Sequence, residues 1–159
     1  MNDSLLYPQG IGVPVKARHV NGVLVLPGIP RHLRVRATVA QVNAGLIILP
    51  ALPGFGYRIV DAALIAIGGA ATGATSVDLL GTKAGSASRP VVVAAAALTQ
   101  STMVRTGAVP AAGSVTLLAD GASFTKHDPN TALSITKQSG GSDLATSTHV
   151  DLLLTYVVE

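Results

Sequence analysis

The sequence predicts an all-β protein: an antiparallel, jelly-roll-like β-sandwich of about eight strands with an extended N-terminal arm. Three observations predict this class. Short segments alternate apolar and polar residues, turns rich in Gly, Pro, Asn and Ser separate these segments, and long helical patterns do not interrupt them. Eight strands in two sheets is the count of a jelly roll, but the sequence does not give the order of the strands.

The first thirty residues differ from the rest of the chain. Four prolines and several glycines disfavour a long helix there and favour extended backbone. Residues 23–26 have the composition of a short strand. Two interpretations are equally open: an arm that contacts a partner, or an ordinary first strand with long loops. We take residues 1–30 as the arm and residues 31–159 as the sandwich domain, and expect that deleting residues 1–20 weakens attachment without unfolding the domain.

The first predicted strands of the domain lie between residues 33 and 67. Residues 33–40 alternate strictly, with Leu33 and Val35 on one face and Arg34 and Arg36 on the other. Residues 46–49 form a short apolar run that Pro50 closes, and a Gly/Pro loop follows at 53–56. We expect the first of these strands to be half-buried.

Residues 57–67 form the longest strand candidate. Strict alternation places the odd-numbered residues, from 57 to 67, on one face and the even-numbered residues, from 58 to 66, on the other. Both faces are largely apolar, which predicts a strand that is central in its sheet or covered by a partner. A loop of Gly, Ala and Thr follows at 68–75.

The second half of the chain supplies the remaining strands. Residues 76–80, 114–118 and 149–153 resemble one another, which we attribute to strands of one sandwich rather than to a repeat. Residues 90–98 are ambiguous, because three valines favour a strand and four alanines a helix; we favour a strand. Residues 101–106, 131–137 and 148–158 complete the set, with turns at 128–130 and 139–142.

The composition predicts assembly with other protein surfaces. Charged residues make up 12% of the chain and apolar residues 48%, a surface that is natural when partners cover much of it. Cysteine and tryptophan are absent, which excludes disulfides and thiolate metal sites and predicts a core of small aliphatic side chains. We expect a symmetric homo-oligomer, most simply a trimer, assembled in a reducing cytoplasm.

The sequence offers no pattern typical of an enzyme, a cofactor site, a metal site or a membrane span. The loop at 68–75 has the glycine spacing of a phosphate-binding loop, but Ala74 replaces the lysine. The four histidines lack further ligands nearby, and His127 is interpreted as a surface-turn residue. Serines lie outside any nucleophile elbow, and the aspartates are scattered. The longest apolar runs, 44–52 and 62–71, are too short to cross a bilayer.

The basic residues are the candidate partner-binding residues. They cluster upstream of and within the first domain strand and are Lys16, Arg18, Arg31, Arg34 and Arg36. One interpretation is a solvated strand face; the other is a surface that orients a protein partner, and nucleic acid is not expected. We expect replacement of both Arg34 and Arg36 by glutamine to change folding little and to slow attachment.

Residues 57–71 with 75–79, and the closing strand at 149–158, resemble the small Ala/Gly/Thr-rich β proteins that decorate tailed-bacteriophage heads. The resemblance implies a capsid decoration (cement) protein: a jelly-roll-like homotrimer that binds the outer capsid surface and bridges major capsid protein subunits. It implies a virion location after synthesis in the bacterial host cytoplasm, and no catalytic residues. The alternative is a receptor- or glycan-binding β module of a phage tail or fibre.

Overall fold

A computed structural model describes the backbone of residues 3–6, 15–20, 23–100, 102–105 and 126–159, and the side chains of these residues from Val25 onward. The predicted antiparallel β-sandwich is confirmed. In chain order the elements are β1 (Asp3–Leu6), β2 (Val15–Val20), β3 (Val23–Val25), β4 (Arg31–Thr38), α1 (Val39–Ala44), β5 (Leu46–Leu49), β6 (Tyr57–Ile67), β7 (Ser76–Lys83), β8 (Ser86–Ala94), a 3-10 turn (Ala95–Ala97), β9 (Val104–Arg105), β10 (Leu133–Lys137) and β11 (His149–Val158).

Strands β4 to β11 form two four-stranded antiparallel sheets. The first sheet has the order β4-β11-β6-β9 and the second the order β5-β10-β7-β8. Strand β7 pairs with β8, β6 with β9, β5 with β10 and β4 with β11, so each pair encloses the previous pair in the sequence. Taken in this order, the four pairs belong alternately to the second and the first sheet. This is the jelly-roll arrangement, which closes the chain with its first and last domain strands side by side.

The N-terminal strands form a three-stranded antiparallel sheet of their own, in the order β1-β2-β3. The strand predicted at 23–26 is present as β3. Val25 is fully buried and belongs to the core of the sandwich, and the Gly28 amide donates a 2.9 Å hydrogen bond to the carbonyl of Val158. The chain therefore joins the sandwich before residue 30, while the division into an arm and a domain stays a prediction.

The strand predicted at 33–40 ends earlier than its alternation suggested. Thr38 caps α1 through a capping box: its hydroxyl accepts from the Gln41 amide, and the Gln41 side chain accepts from the Thr38 amide. Gly45 ends the helix in the left-handed conformation, at a φ of 82°. Val39 and Ala40 therefore lie in a helix, which corrects the expectation of a strand there. In the described part of the chain, no helix is long and apolar enough to cross a membrane.

Strand β6 has the predicted bounds and lies inside its sheet between β11 and β9, but the predicted division of its faces is wrong. Thr155 of β11 pairs with Asp61, and the next residue, Tyr156, pairs with Ile59. Val60 is thus the extra residue of a β-bulge, and the bulge reverses the alternation beyond it. Buried side chains before the bulge have odd numbers, whereas the residues buried deepest beyond it are Ala62, Leu64 and Ala66.

The ambiguous segment at 90–98 contains both predicted structures. Strand β8 includes Val91, Val92 and Val93, and the alanines that follow form the 3-10 turn. Of the strand predicted at 101–106, the described residues 102–105 contain β9 at Val104–Arg105. The strand predicted at 114–118 lies outside the described residues, and those predicted at 76–80, 131–137 and 148–158 are confirmed as β7, β10 and β11.

The core lies between the two sheets. Among the described residues its buried side chains are chiefly Ala, Val, Leu and Ile, as the composition predicted. Leu152 of β11 pairs across the strands with Val35 of β4 and Leu64 of β6, so three aliphatic residues form one row at the centre of the first sheet. The opposite face of the same strands is left to the outside of the sandwich.

Candidate functional site: the outer face of the first sheet

Three rows of side chains cross the outward face of β4, β11 and β6. We call this surface the outer face. In the register of the strands its rows are Arg36 with Asp151 and Ile65; Arg34 with Leu153 and Ala63; and His32 with Thr155 and Asp61. Arg105 of β9 extends the second row beside Ala63. The alternation of each strand and the bulge at Val60 place these residues together.

Two arginines share one carboxylate on the β4 side of the outer face. Arg36 donates from Nε and Nη2 to the two carboxylate oxygens of Asp151, both at 2.8 Å. The Asp151 side chain is only 12% exposed, and the hydrogen bonds from Arg36 lower its pKa even though partial burial opposes this. The nearest guanidinium nitrogen of Arg34 lies 3.7 Å from Asp151, too long for a hydrogen bond. Arg34 therefore adds positive charge that Asp151 only partly offsets.

A second ion pair holds the opposite side of the outer face. Arg105 donates from Nε and Nη2 to one oxygen of Asp61, at 3.0 and 2.7 Å. These hydrogen bonds raise the pKa of Arg105. Since Arg105 lies on β9 and Asp61 on β6, this ion pair adds a side-chain contact between the two paired strands.

An apolar centre lies between the two ion pairs. Leu153 is 46% exposed and Met103 is 51% exposed, and the two side chains lie side by side on this face. Together with Ala63 they line a depression of about 500 Å³ that Arg34 and Arg105 border. An apolar centre with a charged rim is the pattern of a protein-binding surface.

Of the five basic residues predicted to bind a partner, the structure describes the side chains of three, and these lie on two faces of β4. Arg34 and Arg36 lie together on the outer face. Arg31 lies on the opposite face of β4 and is the register partner of Tyr156. Burial raises the pKa of the nearby Tyr57 to about 12, and the positive charge of Arg31 partly counteracts this rise. Lys16 and Arg18 belong to β2, in the N-terminal sheet, and their side chains lie outside the described residues.

Sequence reasoning missed most of the outer face. Asp61 and Asp151 were interpreted as single charges on strands, and Arg105, Met103 and Leu153 were not singled out. The pairing of Arg36 with Asp151 joins residues 115 positions apart, which alternation within one strand cannot reveal. The available signal was the polar residue inside the apolar run at 149–153.

A second depression, of about 630 Å³, lies on the outside of the second sheet. Its floor carries Asp78, which is almost fully buried and accepts hydrogen bonds from Ser76 at 2.6 Å and Arg89 at 3.1 Å. Lys137 at its edge pairs with Asp143 at 2.9 Å. Because these charges satisfy one another, the arrangement fits a structural role better than a binding role.

His127 is buried, which corrects its interpretation as a surface-turn residue. Its side chain is 2% exposed, and neither ring nitrogen has a hydrogen-bond partner among the described residues. Its backbone amide donates to the Tyr57 carbonyl at 2.7 Å, which draws the segment into the sandwich. Burial lowers the pKa of His127, although the Asp128 charge opposes this, so the ring is neutral in the folded protein.

The fold should therefore lose stability in mildly acidic solution. Below about pH 6.5 the unfolded chain protonates His127 while the folded chain does not, so folding releases a proton and the free energy of unfolding falls by up to about 1.4 kcal/mol per pH unit. The fall ends below the lowered pKa of the folded state. Urea unfolding between pH 7.5 and 4.5 should give a shallower pH dependence for His127→Leu than for the wild type; parallel profiles would contradict this assignment.

The two outer-face arginines should differ in their effect on stability, which revises the expectation that replacing both changes folding little. Arg36→Gln removes both hydrogen bonds that Arg36 donates to the largely buried carboxylate of Asp151, so the protein should become less stable at pH 7. Because the pKa of Asp151 then rises towards its value in the unfolded chain, the part of the acid destabilisation that Asp151 contributes should become smaller in this variant. Arg34→Gln is the matched control and should leave thermal unfolding almost unchanged. Equal melting temperatures for both variants would contradict this.

Comparison with protein-family models, with curated proteins and with solved structures finds no match to this chain.

Proposed function

We propose that this chain is a structural, non-enzymatic virion protein that binds the outside of a tailed-phage capsid and stabilises it by bridging major capsid protein subunits. The observation that supports this most is the outer face, where exposed Leu153 and Met103 lie between two ion pairs on a jelly-roll sheet. The resemblance of the sequence to capsid decoration proteins supplies the identity of the partner.

The proposed mechanism is burial of a preformed surface. Adjacent strands of one sheet, β4, β11, β6 and β9, carry most of the outer face, so its side chains need little ordering when a partner docks. A single contact of modest area is weak, but a symmetric shell repeats it many times, and each bound copy opposes separation of the subunits that it bridges. We propose that two basic residues of the N-terminal segment, Lys16 and Arg18, also contact the capsid.

We propose further that the protein acts as a homotrimer. Charged residues make up only 12% of the chain, so association of copies needs to remove few charges from water. Multi-angle light scattering at micromolar concentration should give the mass of three chains. A monomer both in solution and on its target would count against this part of the proposal.

Co-sedimentation with undecorated heads of the phage that encodes the chain tests the function. The wild-type protein should bind saturably and raise the temperature at which the heads rupture. Deletion of residues 1–20 should leave the circular dichroism of the sandwich intact and reduce binding. Binding to bacterial cells or glycans without binding to heads would favour a receptor-binding module of a tail or fibre instead.

A further inference from the structure

We infer that the depression on the outer face receives one apolar side chain of the partner together with a neighbouring carboxylate, so that its occupant is an acidic, apolar protein segment. This inference rests on the proposed function and names the chemistry of the partner at that site. It is carried by the shape of the depression, by the charges around it and by the position of Arg34.

The apolar part of the occupant follows from the lining. Leu153 and Met103 are each about half exposed, and both line the depression together with Ala63. A volume of about 500 Å³ is larger than any single side chain, so one large apolar side chain fits with its flanking backbone. Covering these side chains removes apolar surface from water, which favours association.

The carboxylate follows from the charges. The outer face carries three arginines against two aspartates, a net charge of +1. Asp151 already accepts from Arg36 with both oxygens, and Asp61 accepts twice from Arg105. Arg34 is 72% exposed, and its one ion-pair contact among the described residues is the 3.7 Å approach to Asp151. Its planar fork is therefore available for a carboxylate from outside.

The same charges argue against other occupants. A second copy that docked face to face through this same surface would bring an identical net positive charge, so the Arg34 side chains would approach further arginines rather than carboxylates. A nucleic acid would meet Asp61 and Asp151 among the arginines, and the apolar centre would contribute nothing to phosphate binding. A protein segment with an apolar side chain and a neighbouring carboxylate can contact both the apolar centre and Arg34.

Binding of four variants to undecorated heads tests the inference, with stopped-flow light scattering at low and high salt. Leu153→Ser should weaken binding about tenfold, or about 1.4 kcal/mol, because the residues that contribute most to binding cluster at the desolvated centre of an interface. Arg34→Gln should slow association and reduce its salt dependence, and Arg34→Glu should slow it further. Ile47→Ser is the matched control, because Ile47 is 62% exposed on the other sheet; it should bind like the wild type.

Heads whose surface carboxylates are amidated with a carbodiimide and ethanolamine provide the second arm. Amidation should weaken binding of the wild type to the heads. The wild type and Arg34→Gln should then bind the amidated heads equally well. If the wild type fails to bind untreated heads, the proposed function falls. If it binds but the Leu153 and Arg34 variants bind equally well, or amidation has no effect, the function stands and the inference is wrong. Loss of the oligomer in these variants without heads would identify a second copy as occupant and also overturn it.

Discussion

Replacing Leu152 with alanine should lower the free energy of unfolding by about 2–5 kcal/mol, whereas replacing its neighbour Leu153 should change it by less than about 0.5 kcal/mol. The two residues are adjacent on β11 and chemically identical. Leu152 is fully buried and pairs with Val35 and Leu64 inside the sandwich. Leu153 points to the outer face, where truncation leaves no cavity.

Urea unfolding followed by circular dichroism measures both changes under one set of conditions. The slope of free energy against urea should be the same for both variants, because neither alters the extent of surface exposed on unfolding. Similar losses for the two variants would mean that the register of β11 is shifted by one residue, since such a shift exchanges its faces. The assignment of the outer face would then fall as well.

Leu153→Ala also separates binding from stability. A variant that folds like the wild type but attaches less firmly to heads places Leu153 in the contact itself. Leu152→Ala cannot make this distinction, because unfolding of a less stable sandwich would remove all of its binding surfaces together. The pair therefore distinguishes loss of the fold from loss of the proposed contact.

Alternation predicted most strands because a sandwich strand must place every second side chain in the core. Strand β6 matched its predicted bounds, since all of its residues except Arg58 and Asp61 are apolar or aromatic and a stretch with two glycines flanks it on each side. Its faces could not be predicted, because a bulge adds one residue without a characteristic local sequence, and Val60 fits either face. The helix α1 was missed although Thr38 and Gln41 have capping-box spacing, because the alternation of the preceding strand continued through Val39.

The outer face was only half predictable for a different reason. Alternation placed Arg34 and Arg36 on one side of their strand, and the structure agrees. The partners of these arginines come from β11, more than a hundred residues later, and their positions depend on the register between strands. That register is fixed by the nested pairing of the jelly roll, a property of the whole chain. Local patterns therefore identified the two arginines but not the carboxylate that holds Arg36.

Gly81→Ala should destabilise the sandwich by about 1–3 kcal/mol or more, because the added methyl group would overlap the buried ring of His127. Gly81 lies in β7 at a register shift against β8, and the ring occupies the space that a side chain would fill. Its φ lies outside the left-handed region, so the expected loss comes from overlap rather than from backbone strain. Gly141→Ala is the matched control: its nearest neighbour is the Gln138 carbonyl oxygen at 3.4 Å, and its stability should change little.

His127→Ala should relieve the overlap in the Gly81→Ala background. Alone, each substitution is destabilising, one through overlap and the other through the cavity left by the ring. Together they exchange a large side chain for a small one across the same gap, so the double variant should lose less stability than the sum, with a coupling of about 0.5–3 kcal/mol. Its loss of stability between pH 6.5 and 4.5 should also be shallower than that of the wild type, because the buried imidazole is gone. Additive losses with an unchanged acid dependence would mean that His127 does not pack against Gly81.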